Sequence, residues 1–205
     1  MGLISNGTTI FDAGSMSAGF GGSMVFIKKL TASSSSTLSF VHGASSVVFD
    51  STYKSYVFTF KNIHPSGTNR FQFNGSVDAG SNYNVTKTTT VFVGHHRENG
   101  SDGSVQIQSG DDLHQSSSFQ DLMAYGNQMD DADHSLNGTL QIFNPSSTTF
   151  IKNFIARTNA NVSPDYTVNT FVNGYFNNTN DVDAIRFQMH SGSIDAGDIC
   201  LYGIA

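Results

Sequence analysis

Two stretches carry side chains that could hold a metal or move protons: His95-His96-Arg97-Glu98 and Asp130-Asp131-Ala132-Asp133-His134. Imidazoles and carboxylates together can ligate a cation or share a proton. Spacing argues against the first stretch. Neighbours on a strand point to opposite faces, so His95 and His96 diverge. The pair also lacks the helical i, i+4 spacing of a zinc site. The second stretch and Asp111-Asp112 offer oxygen ligands, but calcium needs about six to eight of them converging. Solvated acidic loops are the expected form. Cys200 is the only cysteine, so no internal disulfide forms. It is expected as a small buried residue of the last strand. There is no G-x-S-x-G, P-loop, Cys-x-x-Cys or H-E-x-x-H. A carboxylate pair for glycoside hydrolysis is defined only by the fold. The chain is therefore read as non-enzymatic, with no catalytic, cofactor-binding or metal-binding residue assigned and no cofactor.

One phrase occurs twice. RFQFNGSVDAG begins at Arg70 and RFQMHSGSIDAG at Arg186, with one residue inserted in the second copy. A shorter echo, IFDAGS, begins at Ile10. Gly80 and Gly197 can take positive φ at little cost. Asp78 and Asp195 can hydrogen-bond backbone amides two residues on. The expected form is two hairpin turns built to one recipe, at the same end of the domain. A duplicated half-domain and a ligand or calcium loop are the alternatives.

The elements that must position these residues are strands. Hydrophobic residues make up 38% of 205, charged residues only 13%, and there are 17 Phe and no Trp. Branched and aromatic side chains with few charges suit a pleated, half-buried surface. The clearest alternation is SYVFTFKNI, 55–63, with Tyr56, Phe58 and Phe60 on one face. Strands are also expected at 24–30, 36–41, 46–50, 70–73, 83–94, 103–110, 166–176, 184–189 and 198–204. Residues 138–158 read as one hairpin around Asn144-Pro145-Ser146-Ser147, and the strands at 184–189 and 198–204 are expected to pair with each other. The best helical candidate, 117–129, is weakened by Gly126 and a Ser-rich start. Roughly eleven short strands with regular turn signals predict an all-β fold. The expected form is an antiparallel β-sandwich of jelly-roll type. Residues 1–23 read as an extended N-terminal arm rich in Gly and Ser, with Phe11 and Phe20 as apolar anchors, and residues 24–205 as one sandwich domain.

The formal charge is −6 and no basic block occurs. Nucleic acid is not an expected partner, since phosphate contacts need clustered Lys and Arg. Lys28-Lys29 reads as a solvated strand edge. No apolar stretch approaches the ~20 residues of a membrane span, so no membrane partner is expected. The opening MGLISNGTTIFDAGS lacks the basic and apolar regions of a secretion signal.

Several phrases together carry a resemblance: NGTTIFDAGS, YKSYVFTFKNIHP, GSNYNVTKTTT, GTLQIFNPSSTTFIKNF and SGSIDAGDICLYGI. From Asn6 to Ile204 the chain resembles virion structural proteins, capsid- or tail-associated, of tailed bacteriophages of marine bacteria (cyanophage- or pelagiphage-like). The resemblance is thinnest over 101–133. It implies a non-enzymatic protein exposed on a phage particle, assembled in the bacterial host cytoplasm. Other virion proteins, the major capsid protein or tail proteins, would be its partners. Closed symmetry is the rule for oligomers, and a trimer is the form expected here. A capsid decoration or head-fibre protein would grip the particle through its arm, with Phe11, Asp12 and Phe20 as attachment residues. A tail-fibre receptor-binding or carbohydrate-binding module is the alternative. A host surface glycan would then meet Tyr125, Tyr166, Tyr175 and the run Asn177-Asn178-Thr179-Asn180.

Overall fold

From Lys152 to Val162 every second side chain is buried and the ones between are exposed. That period of two is what a strand shows when one face meets a core, and it recurs along most of the long strands. The computed structural model describes residues 3–5, 8–12, 15–16, 23–124 and 128–205. Its strands are β1 Leu3–Ser5, β2 Thr8–Asp12, β3 Ser15–Met16, β4 Met24–Thr31 and β5 Thr37–Val41. Next come β6 Ser55–Pro65, β7 Phe71–Ser76, β8 Lys87–Arg97, β9 Gly103–Ile107 and β10 Gln120–Asp121. The last five are β11 Leu136–Phe143, β12 Lys152–Val162, β13 Tyr166–Phe176, β14 Ala184–Met189 and β15 Ile194–Ile204.

The protein is an all-β sandwich. An eight-stranded sheet runs β4-β15-β6-β11-β12-β13-β8-β9, and a four-stranded sheet runs β10-β7-β14-β5; every pairing is antiparallel. The strand order does not establish the jelly-roll form. A double Greek key divides about eight strands between two sheets, whereas this sandwich divides unevenly, eight and four. Tyr56, Phe58, Phe60, Phe154 and Phe176 of the large sheet face Phe40, Phe71, Phe73 and Phe187 of the small one, and all are buried. The hairpin at 138–158 is present as β11 and β12, joined by a longer loop whose Ser147 N donates to the Asn144 carbonyl at 3.0 Å.

Several expectations give way. No helix occurs among the described residues. The candidate at 117–129 contains instead the short edge strand β10, whose partner is β7; residues 125–127 lie outside the described residues. Segment 46–50 is not a strand. Ser45 and Ser46 take positive φ, 51° and 66°, which ends any extended run. Val47 and Phe49 are nonetheless buried, capping the core as a loop. Within the stretch read as an N-terminal arm, the described segments β1, β2 and β3 pair in a small sheet of their own. Phe11 and Asp12 lie on β2, and Phe20 falls outside the described residues.

The repeated phrase is not two hairpin turns. β14 and β15 lie in different sheets, and so do β7 and β8. β7 pairs with β14, with Gln72 opposite Gln188 and Phe73 opposite Phe187. The two copies are thus neighbouring antiparallel strands, mated about their own glutamines. Their Asp-Ala-Gly segments therefore leave at opposite ends of the sandwich. Of the residues that suggested hairpins, Asp78 and Gly80 lie in the crossing from β7 to β8, whereas Asp195 and Gly197 lie inside β15. Through 66–70 and 190–193, β6-β7 and β14-β15 bend together as one two-stranded ribbon, a corner of the kind that joins packed sheets. His190 N donates to the Arg70 carbonyl at 2.9 Å and Ser66 N to the Ser193 carbonyl at 3.0 Å. Asn69 bridges the corner, its Oδ1 accepting from Ser191 N at 3.2 Å.

Candidate functional site

The residues picked out for chemistry are spent on structure. His95 points inward and is buried, while His96 is exposed, as alternation requires. His95 Nε2 lies 3.5 Å from Asp102 Oδ2, which also accepts a hydrogen bond from Tyr166 OH at 2.9 Å. That hydrogen bond is the main reason the Asp102 carboxyl is held below its usual range, with the imidazole adding to it. The acidic run closes on itself: His134 Nδ1 accepts from Asp130 N and Asp131 N, each at 3.3 Å. A cleft of ≈ 430 Å³ opens beside Asp131, lined by His96, Glu98, Asp133 and Asn161. A smaller one of ≈ 250 Å³, also lined by Asp131, includes His64, Pro65 and Asp195. Among the described residues, no group of His, Cys, Asp and Glu is placed to hold a metal ion.

The turn residues sort in two ways. Asp78 closes a turn after β7: Oδ1 accepts from Ser76 Oγ at 2.7 Å and from Asn82 N at 2.8 Å. Hydrogen bonds from Asn82 first, then Ser76, hold its carboxyl down at about 2. Gly80 sits in the same turn at φ +79°. Asp195 and Gly197 lie inside β15, at bulges where its register with β6 shifts. Asp195 Oδ1 accepts from Ser34 Oγ at 2.7 Å. Cys200 is also on β15, but half-buried. It takes the outward parity, opposite Thr59 and Lys29. Lys28 and Lys29 lie on the edge strand β4, as expected, and Lys29 pairs with Asp198 at 3.4 Å.

Sequence reasoning missed two clusters. Arg70 Nη1 reaches Asp121 Oδ2 at 2.7 Å and Asp111 Oδ1 at 3.3 Å, and Gln72 Nε2 donates to Asp121 Oδ1 at 2.6 Å. Burial pushes the Asp121 carboxyl up, against the pull of Gln72 and Arg70. These carboxylates rivet β10 and the 108–116 segment to β7. The second cluster is a pair of buried lysines, Lys152 and Lys87, opposite the same Phe176 on adjacent strands. Lys152 Nζ donates to the carbonyl of Asn178 at 3.0 Å and also to that of Asn180.

The broadest candidate surface is the outer face of the eight-stranded sheet. Register places Phe92, Phe171 and Arg157 in one cross-strand row, and Thr90, Asn173 and Ile155 in the next. Phe92 and Phe171 stack at 4.7 Å, and the Arg157 guanidinium lies 5.1 Å from the Phe171 ring. Ile107 of β9 continues the first row opposite Phe92. Val105 and Ile107 are 79% and 74% exposed, and Ile155 is 48% exposed. A trough of ≈ 420 Å³ crosses this face over Thr88, Thr90, Asn153, Ile155, Asn173 and Tyr175. At its rim Gln115 bridges Thr88 and Tyr175 and accepts from Asn177. Of the other sequence-picked glycan residues, Tyr166 is engaged with Asp102, Asn178 and Asn180 hold Lys152, and Tyr125 lies outside the described residues.

No family model matches the chain, and no curated protein matches it. Among solved structures it is similar to a Bacteroides ovatus protein of unknown function, at 5% identity and a TM-score of 0.29, over 52% of this chain and 45% of that one. The chain spans less than half the length of that protein. A likeness of that size carries neither fold nor function.

Proposed function

We propose that the chain is a non-enzymatic structural protein of a phage particle, exposed on its surface as a capsid decoration or head-fibre protein. The observation behind this reading is the outer face of the large sheet. Val105 and Ile107 stand exposed on β9, an edge strand with no further strand beside it among the described residues. Native proteins usually blunt such edges with charge, proline or a covering element. GSVQI carries no charge and no proline. A face of this kind suits a subunit whose neighbours cover it, here other copies in a trimer and other virion proteins. The virion setting itself rests on the sequence resemblance.

Two measurements test the reading. Cryo-electron microscopy of intact particles should place the protein on the head; finding it only at the tail tip would sink the decoration form. Light scattering should show a closed oligomer. Ile107→Lys should weaken its association by about tenfold or more, because a charge would be buried at an apolar contact. A wild-type monomer at high concentration would count against the oligomer.

A second reading, a receptor- or carbohydrate-binding module, is favoured by the trough. Its lining is uncharged, with hydroxyl and amide groups and Tyr175 set beside the apolar Ile155 and Phe154, which suits a neutral ligand such as a sugar better than an ionic one. Glycan-array binding that falls about tenfold in Tyr175→Ala or Asn173→Ala would support it. Silence of the wild type on host polysaccharide would end it.

A further inference from the structure

The two sheets meet at a buried lysine and a buried asparagine. Lys87 opens β8 in the large sheet, Asn74 lies on β7 in the small one, and neither exposes any surface. Lys87 Nζ donates to Asn74 Oδ1 at 2.7 Å and to the Val85 carbonyl at 3.0 Å. The Phe176 ring centroid lies 5.9 Å from the amine. Its acceptors are carbonyls, where a buried ammonium would ordinarily be matched by a carboxylate. Burial alone drives its pKa down to about 7, since the charged form loses its hydration. Near neutral pH much of the amine therefore carries a free lone pair, and a desolvated lysine of this kind is a nucleophile.

The asparagine amide is held as an electrophile. Its Oδ1 also accepts from Gly75 N at 2.8 Å. Its Nδ2 donates to the carbonyls of Tyr83 at 2.8 Å and Ser117 at 2.9 Å. These contacts fix which end of the amide faces the lysine. They also set a backbone N–H where negative charge would develop on Oδ1. Hydrogen-bond contact supplies the effective concentration that an amine and an amide lack in solution.

We propose that Lys87 and Asn74 join in a side-chain amide, a covalent staple between the two sheets. Nζ attacks Cγ of Asn74, and the Gly75 N–H meets the charge on Oδ1. The proton that Nζ sheds passes to Nδ2. The Cγ–Nδ2 bond breaks and ammonia leaves. One amide replaces another, with no change of oxidation state and no further reactant. Burial keeps water from competing for the same carbon. A chain with a single cysteine would gain in this way the cross-link that no internal disulfide can give it.

The test is the intact mass of the full-length protein during prolonged incubation in native buffer. One ammonia should be lost per chain. The rate should rise about tenfold per pH unit and level off above the amine's pKa of about 7. Proteolysis should yield a branched peptide joining residues 74 and 87. Lys87→Arg, which keeps a buried cation but no comparable nucleophile, should retain the full mass. A wild-type mass that still equals the full sequence mass after incubation at alkaline pH overturns the proposal. So does loss of ammonia without the branched peptide, because attack by the Gly75 nitrogen on the same carbon, giving a succinimide, loses ammonia too. The wild-type measurement decides even if the variant folds poorly.

Discussion

Phe187→Ala is expected to lower the unfolding free energy by about 3–5 kcal/mol, the range for a large aromatic deleted from a core that cannot collapse. The ring is fully buried on β14, in the small sheet. Phe58 and Phe60 of the large sheet lie 5.2 and 5.3 Å away, both edge-on. Phe71 of the adjacent strand stacks on it at 5.7 Å, and Phe40 on the other neighbour is 6.3 Å away. One side chain on β14 thus touches rings of three other strands and joins both sheets. Edge-on and stacked pairs add about 0.5–1.5 kcal/mol each beyond their burial. Removing this ring strips contacts from four others at once. Phe58 and Phe60 lie on β6, laddered to both β15 and β11, and Phe187's own strand lies between β7 and β5, so the cavity stays open. Urea unfolding should show a lower midpoint with an unchanged slope. Phe150→Ala, at a ring 68% exposed, should shift stability by no more than about 0.5 kcal/mol. If the Phe187 loss were as small, the two sheets would not be held by this cluster.

The aromatic faces were legible because parity is a local property. Tyr56, Phe58 and Phe60 fall on one side of β6 whichever strands flank it, and burial follows. Parity carried further information that went unread. Lys87 shares its face with Thr89, Val91 and Val93, and Lys152 shares one with Phe154 and Ala156; all seven are buried. An inward lysine in such a run is a buried amine, whatever the topology. Sheet membership was not legible. Strand, turn and strand read alike whether the second strand folds back onto the first or crosses to another sheet. The choice between them rests on pairings such as Phe187 with Phe73, set by segments far apart in the chain. The outer-face rows were hidden for the same reason. Phe92, Phe171 and Arg157 come together only once β8, β13 and β12 are ordered in space.

Gly197→Val should cost about 4 kcal/mol, more than the same change at Gly80. Both glycines end the repeated Asp-Ala-Gly, yet they face different neighbours. Gly197 lies in the bulged start of β15 at φ +119°, a conformation that L side chains rarely adopt. A Cβ there would stand 2.6 Å from the Asn62 carbonyl oxygen and 2.8 Å from the Ile63 Cα. These are backbone atoms of β6, held in the middle of the large sheet between β15 and β11, so they cannot retreat without breaking a ladder. Backbone strain contributes about 1–3 kcal/mol and forced overpacking about as much again. At Gly80 the nearest atom to a new Cβ would be the Tyr83 hydroxyl, at 2.7 Å. That is the tip of a side chain, and the turn around it is tied mainly by Asp78. Part of the clash can be relieved by rotation, leaving the cost of φ +79°. Thermal or urea unfolding of the two variants, side by side, reads the difference. Equal losses would mean that turn conformation alone governs both sites. A larger loss at Gly197 would show that the second copy of the phrase serves the close approach of β15 to β6, while the first closes a turn.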